Sequence, residues 1–196
     1  SAGCTDSTLV ITSQNTGTVA VGVYHTYFGD GTYDLFSANP VHTYNAPGTF
    51  YGWMVAQGVN GCPSDTSNFD VFIYQTPSAN MPPIDTAACA SVLTLFSVDS
   101  VLPHSTYEWS ILYNNQITRV TSYDGTLPFF ATEPGVHLVF LTAYNDNHNS
   151  CVAYSDTFRV TIYPVPVALF SVDAPLIYNS EFSFPLHNMS SPAGNT

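Results

Sequence analysis

Cys4, Cys62, Cys89 and Cys151 are the side chains best equipped for covalent chemistry in this sequence. They fall into two pairs with matching surroundings. Cys4 precedes Leu9-Val-Ile11 as Cys89 precedes Val92-Leu-Thr-Leu95, and Gly61-Cys62 matches Ser150-Cys151. No CxxC spacing occurs, which argues against a zinc site, and paired cysteines read as disulfides. Asp30, Asp34, Asp124 and Asp146 are candidate calcium ligands, because calcium takes several clustered oxygens. Asp also starts turns by accepting hydrogen bonds from its own backbone, and that reading is preferred for all four. Serine, histidine and aspartate are present, but no G-x-S-x-G, H-E-x-x-H or P-loop pattern organises them. The six histidines are scattered singly, with His42 read as structural and His148 as part of a polar loop, Asn145-Asp-Asn-His-Asn149. No catalytic or cofactor-binding residue is assigned, and the chain is expected not to be an enzyme.

Positioning these residues falls to a chain of 196 residues, enough for one large domain or two small ones. It has no lysine, two arginines (Arg119 and Arg159) and 14 acidic residues, for a formal net charge of -12. Nucleic-acid binding needs clustered cations to displace counterions, so that class is excluded. An anionic membrane surface would repel the chain as well. Charged residues are only 8% and aromatics 14%, unlike acidic disorder. Val, Ile, Thr, Tyr and Phe are abundant and suit pleated, half-buried surfaces. No stretch is apolar enough for a membrane-spanning helix, and no signal peptide is recognised. A lysine-free, Thr/Asn-rich chain with paired cysteines belongs outside the cell.

An internal repeat organises the chain. Phe69-Asp-Val-Phe-Ile-Tyr-Gln-Thr-Pro77 recurs as Phe158-Arg-Val-Thr-Ile-Tyr-Pro-Val-Pro166, Ala46-Pro-Gly48 as Glu133-Pro-Gly135, and Tyr24 as Tyr107. The period is about 85 to 90 residues, the size of a small sandwich domain. Residues 1–77 form a first copy, 78–166 a second, and 167–196 the start of a third. Val167–Val172 and Glu181–Phe184 are expected as the third copy's first two strands. The first copy is expected to begin without the leading strand of the others. Alternating runs are punctuated by Gly29-Asp-Gly31, Pro47-Gly48, Asn60-Gly61, Asp124-Gly125 and Pro134-Gly135, and no helical period is sustained. The expected fold is all-β: Greek-key sandwiches of about seven strands each, joined in an extended array by short, semi-stiff proline junctions. Trp53 and Trp109 are expected to fill the two cores.

Two disulfide schemes follow. Cys4–Cys62 and Cys89–Cys151 would staple each copy. The first cysteine of each copy, however, enters the second strand, and the second follows the sixth. Those loops lie at opposite poles, roughly 25 Å apart for strands of typical length, whereas a disulfide needs Cα atoms within about 7 Å. In a head-to-tail stack Cys4 would instead meet Cys151 across the junction, leaving Cys62 and Cys89 to neighbouring copies.

Phe28-Gly-Asp-Gly31, Asn39-Pro-Val-His-Thr-Tyr44, Pro47-Gly-Thr-Phe50 and Asn60-Gly-Cys62 together resemble the PKD (polycystic kidney disease) domain family, an Ig-like sandwich of surface proteins. The family's Trp-Asp before this turn is replaced by Thr26-Tyr27. The second copy keeps a tryptophan there, in Tyr107-Glu-Trp109, but lacks the turn. The repeat style resembles giant cell-surface adhesins of Bacteroidetes, including SprB-type adhesins of gliding cells. That resemblance implies O-glycosylation at Asp-Ser/Thr sites, here Ser7, Thr86 and Ser100. Asn188-Met-Ser190 is a formal N-glycosylation sequon.

The resemblance implies a structural or adhesive segment of a large secreted or cell-surface protein, spacing and stiffening a fibre used in adhesion or gliding motility. Its partners would be neighbouring repeats of the same chain, with surface glycans or other surface proteins beyond them. Two alternatives stand beside it. One is an accessory or carbohydrate-binding module of a secreted hydrolase, which exposed, coplanar Tyr or Trp on one face would favour. The other is an extracellular filament subunit completed by strand donation.

Overall fold

The computed structural model describes residues 1–83, 87–172, 176–178, 181–183 and 186–191. The described residues contain β-strands and no helix, so none is long and apolar enough to cross a membrane. The first seven strands are β1 (Ala2–Cys4), β2 (Thr8–Val10), β3 (Val21–Tyr27), β4 (Tyr33–Asp34), β5 (Val41–Thr43), β6 (Gly48–Gly58) and β7 (Ser67–Tyr74). They form a five-stranded sheet, β1-β7-β6-β3-β4, facing a two-stranded sheet, β2-β5. Eight more follow: β8 (Ala87–Cys89), β9 (Leu93–Ser97), β10 (Ser105–Tyr113), β11 (Gln116–Ser122), β12 (Thr126–Phe130), β13 (Gly135–Asn145), β14 (His148–Tyr154) and β15 (Phe158–Tyr163). Their larger sheet runs β8-β15-β13-β10-β11, with β14 pairing the far end of β13, and β9-β12 form the facing pair. The strand order is the same in both sets, and it is that of an Ig-like β-sandwich.

The first copy, expected to begin without a leading strand, has one. β1 pairs parallel with β7, Cys4 opposite Tyr74, as β8 pairs parallel with β15, Cys89 opposite Tyr163. Three residues suffice, because each strand only caps the edge of a sheet already built.

The cores sit between the sheets of each set. Strand alternation aims every second side chain inward. In the second set Trp109, Tyr107, Phe96, Leu127, Val139, Leu141 and Val160 are almost fully buried. The first core is smaller: Phe28, Tyr44, Val71 and Ile73 are buried, with Leu9, Ile11, Phe50 and Phe69 packed against them. Its tryptophan differs from expectation. Trp53 is 40% exposed on the outer face of β6, where Gly52 and Met54 point inward. At the position matching Trp109 stands Thr26, buried, with no hydrogen-bond partner for Oγ1.

The remaining strands are β16 (Phe170–Val172), β17 (Leu176–Tyr178), β18 (Glu181–Ser183) and β19 (Leu186–Asn188). β16 pairs with β19 and β17 with β18, both antiparallel. The two expected strands of residues 167–184 thus correspond to β16 and β18, although Phe184 lies outside the described residues. Their pairing is local, unlike that of β1 and β2, which belong to different sheets.

Candidate functional site: the junction and the outer face

The cysteines divide by pairing. Cys4 and Cys151 are joined, with Cα atoms 5.4 Å apart and a sequence separation of 147. Cys62 and Cys89 are free and exposed. The within-copy schemes, Cys4–Cys62 and Cys89–Cys151, are therefore not the ones formed. The reason is the length of β7. Cys4 lies beside its last residue, Tyr74, whereas Cys62 precedes its first, Ser67. Across the eight residues of this strand, a rise of about 3.3 Å per residue separates the two ends by roughly 23 Å.

Around this bond the first and second strand sets meet. Both cysteines are buried. The ring of His148 stacks on Tyr74, centroids 5.1 Å apart and planes 28° apart. His148 thus belongs to the junction and to the start of β14, not to a free polar loop. Its Nδ1 lies 3.7 Å from Cys151 Sγ. Cys4, His148 and Cys151 bring ligand-type atoms within 4.8 Å of one another. With the two sulfurs bonded together, neither is the thiolate a metal would need. The buried Asn145 donates from Nδ2 to the backbone oxygen of Gln75 at 2.8 Å. The linker is also fixed to the second set, where Ala79 enters the core, Asp99 N donates to Asn80 O, and Ser78 Oγ donates to Asp99 Oδ1 at 2.7 Å.

The motif residues of the first copy form one connected group. Asp30 Oδ1 accepts from Thr32 N and Thr32 Oγ1, and Oδ2 lies 2.6 Å from His42 Nε2. His42 stacks on Phe28, centroids 4.0 Å apart, and meets Tyr44 edge-on at 4.6 Å. Tyr44 stacks on Phe50 and donates from its hydroxyl to Phe28 O at 2.9 Å. Partial burial pushes the Asp30 carboxyl up, but hydrogen bonds from Thr32 and His42 outweigh it and hold the group below its ordinary value. Burial, with the Asp30 charge nearby, pushes the Tyr44 phenol up to about 12.

Two other aspartates also serve turns. Asp34 Oδ1 accepts from Phe36 N and Ser37 N, and Asp124 Oδ1 from Thr126 N and Oγ1. Asp146 differs from the turn expectation: its Oδ1 accepts from Thr106 Oγ1 at 2.6 Å, a residue distant in sequence, and Asn145 Oδ1 accepts from Asn147 N in its place. Ser7 and Ser100 are exposed, and Thr86 lies outside the described residues. Ser190, in the sequon, exchanges hydrogen bonds with the backbone of Leu169.

The outer face of the first large sheet carries an aromatic patch that sequence reasoning missed. Tyr27 and Trp53 are direct cross-strand partners, centroids 5.9 Å apart and tilted by 32°. With Tyr33 and Leu35 they line an open groove of about 480 Å³. Tyr33 is 66% exposed. Asn68 and Asp70 on β7 lie opposite Trp53 and Tyr51.

No protein-family model matches the chain, and no curated protein matches it in sequence. Among solved structures it is similar to the fibronectin(III)-like modules of Clostridium thermocellum CbhA (16% identity, 83% of this chain and 88% of that one, TM-score 0.37). It is also similar to murine CEACAM1b (12% identity, 82% and 95%, TM-score 0.35) and to carbohydrate-binding modules of the β-sandwich superfamily (16% identity, 72% and 52%, TM-score 0.33). At these values the similarity carries no functional argument, and the fold rests on the strand order described above.

Proposed function

We propose that this chain is a non-enzymatic spacer segment of a secreted or cell-surface protein: two PKD-like or Ig-like repeats, residues 1–77 and 78–166, with the start of a third at 167–196, in a fibre used for adhesion. The observation that carries this reading is the buried Cys4–Cys151 bond, which fixes one sandwich to the next where the linker alone would otherwise set their angle. Disulfides persist outside the cytoplasm, which supports the location. The SprB-type resemblance adds gliding motility as the setting. Small-angle scattering tests the spacer role. The chain should give a narrow set of long dimensions that broadens in Cys4→Ser/Cys151→Ser. A profile unchanged by that substitution sinks the reading.

The outer face of the first sheet favours a second reading, a carbohydrate-binding surface. Sugar rings pack on exposed aromatic faces and hydrogen-bond to nearby amides and carboxylates, and Tyr27, Tyr33 and Trp53 lie with Asn68 and Asp70 on one sheet. Pull-down on insoluble polysaccharides should retain the chain and release Trp53→Ala. Equal retention of both, or of neither, removes this reading.

A further inference from the structure

Cys62 and Cys89 are each the counterpart of one half of the bonded pair. The likeness of Cys89 to Cys4 extends through the surrounding backbone. Thr5 N donates to Tyr74 O and Ala90 N to Tyr163 O. Ser7 N donates to Cys4 O and Val92 N to Cys89 O, both at 3.2 Å. Asp6 and Ser91 both hold positive φ, 62° and 66°, and their amides donate to Tyr44 O and Ala131 O. Beside Cys4 the ring of Tyr74 is covered by His148, whereas beside Cys89 the matching Tyr163 is 56% exposed.

Cys62 repeats the other half. Like Cys151 it lies in the hairpin leaving the long central strand, and that hairpin is shorter: Gly58 N donates to Cys62 O. Where the second copy has His148, the first has Val59, 72% exposed. A Ser-Asp pair closes both hairpins. Ser64 Oγ accepts from Ala56 N and donates to Asp65 O; Ser155 Oγ accepts from Leu141 N and donates to Asp156 O. The halves differ in one further respect. Gly58 takes the place of Asn145 and offers no side chain to a linker carbonyl.

We propose that Cys62 and Cys89 are two unjoined halves of the junction formed by Cys4 and Cys151, each accepting a disulfide from a further domain of this same fold. Cys89, with Tyr163 beside it, is the first-strand half and takes the hairpin cysteine of a following domain. Cys62, with Val59 beside it, is the hairpin half and takes the first-strand cysteine of a preceding one. The polarity is fixed: first-strand sulfur to hairpin sulfur, never like to like. This inference rests on the spacer reading and adds to it a chemical rule for how units join.

The bond forms by exchange with a small disulfide. One cysteine, as thiolate, attacks oxidised glutathione, giving a protein–glutathione disulfide and one glutathione thiolate. The second cysteine, also as thiolate, then displaces the other glutathione, so two protein thiols are oxidised and one oxidant molecule is reduced.

The test uses the full chain, concentrated and incubated with oxidised glutathione, then read by non-reducing electrophoresis and peptide mapping. A ladder of covalent oligomers linked Cys62 to Cys89 is expected. Cys62→Ser alone and Cys89→Ser alone should each stay monomeric, and mixing the two should yield a dimer and nothing larger. Dimers of either single variant, which require like-to-like bonds, overturn the proposal. So does a product limited to glutathione adducts. The scattering result for Cys4→Ser/Cys151→Ser does not depend on this outcome, so failure here is distinguishable from failure of the spacer reading.

Discussion

Asp30 Oδ2 lies 2.6 Å from His42 Nε2, and the contact closes a group that runs through Phe28, Tyr44 and Phe50. The carboxylate binds the glycine turn to the fifth strand. Asp30→Asn keeps an oxygen for the Thr32 amide but removes the charge. It should lower unfolding stability at neutral pH by about 0.5 to 1 kcal/mol, given the screening of a partly exposed pair. Because the folded carboxyl titrates below its ordinary value, its contribution is complete above the unfolded value and lost as pH falls through the folded one. Urea titrations of both proteins should therefore converge below about pH 4.

His137 gives the second sandwich an acid sensitivity of its own. Its ring is buried, stacked on Tyr113 at 4.2 Å, and its Nδ1 has no hydrogen-bond partner. Burial pushes the imidazole below its ordinary value, against a hydrogen bond involving the Gly135 backbone that raises it. The unfolded chain then binds a proton more readily than the folded one. Stability is complete above the unfolded value, near 6.5, and falls as pH drops below it. The urea midpoint should decline between pH 7.5 and pH 5.5, and His137→Phe should flatten that decline.

The two tryptophans should behave oppositely. Trp109 is fully buried and donates from Nε1 to Ser122 Oγ at 3.1 Å. Trp109→Ala should cost about 3 to 5 kcal/mol by leaving a cavity. Trp53→Ala should cost about 1 kcal/mol or less, because much of that ring already faces solvent. Equilibrium unfolding of both variants checks the contrast.

Gly29 and Gly31 separate backbone strain from collision. Both hold positive φ, 89° and 98°. A Cβ on Gly29 would lie 2.6 Å from the Tyr51 carbonyl oxygen, whereas one on Gly31 meets nothing within 4 Å. Gly31→Ala should cost about 1 kcal/mol, the price of the left-handed backbone. Gly29→Ala should cost clearly more, and the difference in melting temperature isolates the collision.

Much of this arrangement is legible in the sequence because it is local. Alternating runs set the strands, glycine and proline pairs mark the turns, and the internal repeat foretells two sets with one strand order. The Phe28-Gly-Asp-Gly31 and His42-Thr-Tyr44 segments fold into a single group because each is short and stiff. The face on which Trp53 lies is not legible in the same way. Its neighbours Tyr51 and Val55 are also large and apolar, so alternation along β6 does not say which row turns inward. Small Gly52 faces the core because the Phe69 ring fills the space beside it, a contact between strands. His148 was hidden similarly. Asparagines surround it in sequence, and its apolar partner Tyr74 belongs to the other sandwich. The short leading strand is not legible because three residues carry no usable period.

The bond between Cys4 and Cys151 has a mechanical meaning. Tension applied along the chain enters through residues 1–4, crosses from sulfur to sulfur and leaves from residue 151 onward. Residues 5–150 carry none of that load while the bond holds. They form a covalent loop whose extended contour, roughly 500 Å at 3.3 to 3.6 Å per residue, cannot be drawn out. Of the two sandwiches, a pull can unzip only β1, up to Cys4, and the strand residues that follow Cys151. The molecule's extensibility is thus set by a redox state, short and unyielding when oxidised and able to lengthen several-fold when reduced.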